Sequence, residues 1–183
     1  MIVAALAAAA SAAAADPAPY RLALEVEYGH PRGPASFLGE LLGALRAELH
    51  ESGCFHEIAP PSASPGQDDL LFVLTLDNFQ YETRYETSLG ERAASDNPEI
   101  ERYVVAYASA TVVMEVRTAA GGALLRERRS HLQSSWRPRI DEDPRAMARE
   151  ELIKDLVRRS RKFVCKGSPK QWEKELQRAG RAR

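Results

Sequence analysis

The chain has 183 residues, 44% hydrophobic and 28% charged, with a net charge of −1. That is about one domain, with enough apolar material for a core, which excludes a disordered or fibrous chain. Residues 16–143 hold 12 basic and 21 acidic residues and residues 144–183 hold 13 and 5, balances of −9 and +8, so the basic C-terminal segment suits an anionic lipid surface, a nucleic acid or the acidic remainder of its own chain.

The chain opens on MIVAALAAAASAAAADPAPY. Residues 2–15 are apolar or small, and Asp16 and Pro17 end the run. It is shorter than the roughly 20 residues that span a bilayer. It matches the apolar region of a secretory signal, with a small-x-small site before Asp16, although no Lys or Arg precedes it. An Ala-rich low-complexity tail is the alternative. Residues 1–15 are therefore expected to be a signal peptide, and the protein to be exported, to the periplasm. The run holds no cysteine to acylate.

RLALEVEY (21–28) alternates with period two, as a half-buried strand does. From Ser36, a fair N-cap, the period turns helical: Leu38, Leu41, Leu42, Leu45 and Leu49 make one stripe, and Gly53 stops it. CFHEIA (54–59) reads as a short strand and 60–69 as a loop. LLFVLTLDNF (70–79) reads as a central strand that runs on through QYETRYETSL, before a polar loop at 90–101.

Residues 102–118 read as the longest strand, with Val104, Ala106, Ala108, Ala110, Val112, Met114 and Val116 on one face. AAGG (119–122) is a hairpin turn. The polar return strand 123–136 reads as an edge that Arg126, Arg128 and Arg129 protect from aggregation. After a linker with Pro144 near the first turn, Leu152, Ile153, Leu156, Val157, Ser160, Phe163 and Val164 stripe a second helix against an Arg- and Lys-rich face.

The order β-α-β-β-β-β-α predicts an α+β, two-layer sandwich: a mostly antiparallel sheet with two helices packed on one face. The expected domain is 16–166, followed by a charged C-terminal helix or tail at 167–183 that frays. The uncovered sheet face is expected to carry Tyr81, Tyr85, Tyr103 and Tyr107, as a binding surface or as ordinary cross-strand pairs.

Chemistry has few footholds. His50, Cys54 and His56 give two or three ligands without a nearby carboxylate pair, and a metal site needs three or four that converge. His56 could serve Cys54 as a base, but no catalytic signature surrounds them. The second cysteine, Cys165, ends the second helix as Cys54 ends the first. If both helices run side by side in one direction, the two ends meet. In an oxidising compartment the pair then forms a disulfide closing about 110 residues, worth on the order of 4–5 kcal/mol. Two buried free thiols are the alternative.

No phosphate loop, HExxH, GxSxG or calcium loop occurs, so no catalytic residue, metal or cofactor is expected. The basic clusters RERRSH and RRSRK lack aromatic interleaving, and nucleic acid is not an expected partner. Arg158, Arg159, Arg161 and Lys162 are candidates for contact with an anionic surface, which makes peripheral membrane contact possible.

Taken together, the signal-like start, RLALEVEY, FLGELLGALRAELHESGCFHEI, DLLFVLTLDNF, a long hairpin and AREELIKDLVRRSRKFV resemble a group of bacterial envelope proteins. These are the LPS-assembly lipoprotein family and the auxiliary lipoproteins of ABC-type envelope transporters. The resemblance covers nearly all of 21–165 and lies in pattern and order; the same order is similar to the N-terminal domain of the Tol-system propeller protein. It implies a non-enzymatic accessory protein that binds an envelope protein or lipid partner during envelope assembly or transport. A small periplasmic enzyme is the alternative. The chain departs from those lipoproteins in having no acylated cysteine after the signal.

Overall fold

The protein is described by a computed structural model that covers residues 18–30, 33–61, 66, 69–89, 100–138, 141–167 and 169–181. The proposed signal at 1–15 and most of the loops 60–69 and 90–101 lie outside the described residues.

The elements are β1 (Ala18–Tyr28), α1 (Ala35–Ser52), β2 (Phe55–Ala59), β3 (Leu70–Leu89), β4 (Ile100–Thr118), β5 (Leu124–Trp136), α2 (Pro144–Val164) and α3 (Pro169–Arg181). The fold is α+β, with one five-stranded sheet in the order β2-β1-β3-β4-β5. β1 lies parallel to both its neighbours, so the sheet is mixed. The long antiparallel ladders of β3, β4 and β5 supply most of its pairing.

Period-two alternation puts Leu22 and Leu24 of β1 and Leu70, Phe72, Leu74 and Leu76 of β3 on one face, with Ala108 to Val116 of β4 beside them. On that face lie Phe37, Leu41, Leu45 and Leu49 of α1 and Leu152, Leu156 and Val164 of α2, all but fully buried. The alanines of β4 leave room for α2 to approach, since each lacks a side chain to hold the helix away.

α1 begins two residues earlier than a cap at Ser36 suggested. Pro34 occupies the cap position and makes no side-chain bond, while its fixed φ of −66° sets the entry angle. At the other end Gly53 sits at φ 61°, a left-handed cap that costs glycine nothing. α2 starts with Asp143 accepting from the Arg145 amide at 2.9 Å, and Pro144 fills the first turn.

The two helices run in the same direction. Arg149 pairs with Glu40 and, further along both, Arg161 pairs with Glu48. Their C-terminal ends therefore meet, and Cys54 and Cys165 are joined there by a disulfide with Cα atoms 5.6 Å apart.

The C-terminal helix departs from expectation. Rather than fraying, α3 inserts Trp172 into the core at 1% exposure, against Phe55 of β2 at 5.8 Å between ring centroids. Arg126 of β5 does not guard the outer surface either. It faces α3, stacks on the Trp172 ring at 3.6 Å, and donates to both oxygens of Glu175 and to the Lys166 carbonyl. A guanidinium so enclosed needs all these partners, because an unpaired buried charge is costly.

Candidate functional site

The most distinctive local geometry is a bulge in β3. Asp77 pairs with Thr111 and Gln80 with Ser109, so Asn78 and Phe79 together face the single residue Ala110. Asn78 takes φ 47°, a left-handed conformation that asparagine tolerates better than most residues. One inserted residue reverses the alternation of everything after it.

The reversal corrects the expected tyrosine face. Tyr81 and Tyr85 turn toward the helix side, Tyr81 opposite the buried Ala108, whereas Tyr103 and Tyr107 remain on the open side opposite Glu86 and Glu82. The four tyrosines do not form one surface. They form two.

On the helix side, Tyr81 joins Phe37 and Phe79 at centroid distances of 6.0 and 5.5 Å, and Tyr28 stacks on Phe79 at 5.4 Å. Tyr85, past the end of this cluster, is 81% exposed. Burial raises the Tyr28 phenol above its ordinary value of 10.0, and the nearby Tyr81 adds to this while Arg149 opposes it. Its hydroxyl donates to the Pro34 carbonyl at 3.1 Å, tying the end of β1 to the start of α1.

Beside the bulge is a cleft of about 260 Å³ lined by Tyr28, His30, Leu76, Asn78, Phe79 and Gln80. Asp77 flanks it, 3.6 Å from His30 and 3.8 Å from Arg129. An aromatic floor with an amide rim can hold a small neutral group or the edge of a partner.

On the open side, Arg84 lies over the Tyr107 ring at 3.9 Å and Arg137 over Tyr103 at 3.8 Å. Arg84 also binds Glu82 at 2.6 Å, and the Tyr103 hydroxyl donates to Glu86 at 3.2 Å. This self-paired ladder is the cross-strand packing that a β surface favours.

The remaining candidates separate. His50 and His56 are exposed, and no group of three or more potential metal-binding side chains occurs among the described residues. Two of the four candidate cations on α2 are already neutralised within the chain, Arg158 by Asp155 and Arg161 by Glu48. Arg159 is half-buried, while Lys162 is exposed and forms no ion pair among the described residues. The sequence did not single out Trp172 or Glu175, and it gave Arg126 the different role of an edge guard. The spacing of Trp172, Leu176 and Ala179 is the signal that could have found them, a narrow apolar stripe in a highly charged helix.

No family model and no curated protein matches the chain. Solved structures to which it is similar include the minor lipoprotein from Acinetobacter baumannii, 16% identical over 79% of this chain and 91% of that one, with a TM-score of 0.44. A putative neuraminyllactose-binding hemagglutinin homolog from Helicobacter pylori is 12% identical over 91% and 92%, with a TM-score of 0.48. The rare lipoprotein B from Shewanella oneidensis is 14% identical over 88% and 89%, with a TM-score of 0.31. At these identities no functional residue transfers from them.

Proposed function

We propose that this chain is a non-enzymatic accessory protein of the bacterial cell envelope, exported to the periplasm, that binds a protein or lipid partner during envelope assembly or transport. The observation that carries the reading is the Cys54–Cys165 bridge, which spans a sequence separation of 111 residues at the meeting point of two parallel helices. Such a bond persists in oxidising compartments and is rare in the bacterial cytosol. The signal-like run at 2–15 supports the same compartment.

The partner-binding part of the reading draws on the cleft beside the β3 bulge, lined by Tyr28, His30, Leu76, Asn78, Phe79 and Gln80. A membrane contact would draw on Lys162 together with Lys170, Lys174 and Arg178, which share the outer face of α3 at four-residue spacing. The aromatic face of that helix is spent on the core, so the contact would be electrostatic rather than inserted.

Fractionation of a Gram-negative host expressing the C-terminally tagged full chain tests the export reading. The expected product is periplasmic, begins near Asp16, and gains the mass of two protons on reduction. Full-length, reduced protein confined to the cytoplasm would overturn the reading. For the membrane contact, sedimentation with anionic vesicles should show binding at low salt that disappears as salt screens it; no binding at low salt removes this part.

A further inference from the structure

The sheet has an edge that begins in its middle. β1 pairs with β3 only as far as Tyr28 opposite Leu76, yet β3 continues to Leu89. From the bulge onward its β1-side edge has no backbone partner among the described residues. Edges of this kind template pairing with another strand unless something blunts them. The segment QYETRYE (80–86) contains neither proline nor glycine. It presents Tyr81, Thr83 and Tyr85 on the helix side and Glu82, Arg84 and Glu86 on the open side.

We infer that this edge is a homodimer interface, in which residues 80–86 of two copies pair antiparallel about a two-fold axis at Thr83. In that register Glu82 of each copy faces Arg84 of the other, Tyr81 faces Tyr85, Gln80 faces Glu86, and Thr83 faces its own counterpart. Directly opposed residues on antiparallel strands lie about 4.5–5.5 Å apart at Cβ, and opposite charges, aromatic pairs and Thr–Thr pairs are the favourable combinations there. The pairing closes two cross-copy ion pairs and covers Tyr85, whose 81% exposure is the largest of any big apolar side chain described.

Charge selects the register. Centring the axis on Arg84 instead would set Arg84 against Arg84 and Glu82 against Glu86, opposing like charges throughout. The bulge ends the new ladder at Gln80, where Asn78 takes its left-handed turn. Because the two-fold stands perpendicular to the sheet, between the two copies of Thr83, both helix layers lie on one side and the ten strands of the two copies form one continuous sheet. The interface is isologous, so it consumes the edge on both copies and growth stops at two.

The surface stands independently of the envelope reading and is tested by sedimentation of the purified full chain over a concentration series. The wild type is expected to dimerise, and Arg84→Glu or Glu82→Arg to raise the dimer dissociation constant about a hundredfold by facing like charges across the axis. The double exchange Glu82→Arg with Arg84→Glu restores the opposed pairs and should return the constant to within about tenfold of wild type. Circular dichroism establishes that each variant remains folded. If Arg84→Glu does not, Thr83→Lys, which sets two ammonium groups on the axis, supplies the same readout. A wild type that stays monomeric to about 100 μM overturns the proposal. So does a single charge reversal without effect, or a double exchange that fails to rescue.

Discussion

Asn78 shows how much one residue can redirect. Its φ of 47° carries the bulge that sends Tyr81 to the aromatic cluster and leaves Tyr103 and Tyr107 on the other side. A β-branched side chain there meets the steric penalty of the left-handed region, so Asn78→Val should destabilise the protein by about 1–2 kcal/mol in urea unfolding. Tyr28 gives a second residue-level outcome. Its phenol is raised above 10.0 by burial first, with Tyr81 adding and Arg149 opposing. The folded state therefore holds its proton more tightly than the unfolded state. Stability from this group is fully present below pH 10 and is lost as pH rises through the native value. Ultraviolet titration should show a late-ionising component that is lost in Tyr28→Phe, and the alkaline loss of stability should shrink with it. Neither effect was legible in the sequence, because LDNFQ lacks the glycine that usually betrays a bulge.

Elements were more legible than their faces. Strict alternation in 21–28 and a leucine stripe at 38–49 fix β1 and α1, because period two and period 3.6 cannot be confused over that length. The mixed pairing of β1 was not written locally, since a parallel neighbour is chosen by the crossover through α1 rather than by the strand's own residues. α3 was hidden by composition: its charged surface masks the single side chain that anchors it. Trp172→Ala should cost about 3–5 kcal/mol. It would also strip Arg126 of its stacking surface and leave Phe55 facing a void. A thermal melt that is unchanged in this variant would show that α3 does not belong to the cooperative unit.

The whole molecule is held together by one covalent link and one continuous core. Reducing the Cys54–Cys165 bridge, or replacing both cysteines by serine, releases a loop of 111 residues in the unfolded chain and should lower stability by roughly 4–5 kcal/mol on the entropic account. Denaturant titration with and without reductant measures it, and coincident curves would mean that the bridge does not form. The meeting of the two cysteines followed from a global premise, two helices pointing the same way, rather than from any motif near either one. The dimer register could be read only once the bulge had assigned side chains to faces.

The bridge also puts a clock on maturation. Its second half, Cys165, follows α2, so the ring from 54 to 165 stays open until that helix has emerged from an N-terminus-first chain. Every strand after β1, and α2 with them, lies within that ring. A chain threaded across a membrane would carry every strand and α2 over before the lock could engage, and an arrest short of Cys165 would strand a reduced, unclasped intermediate.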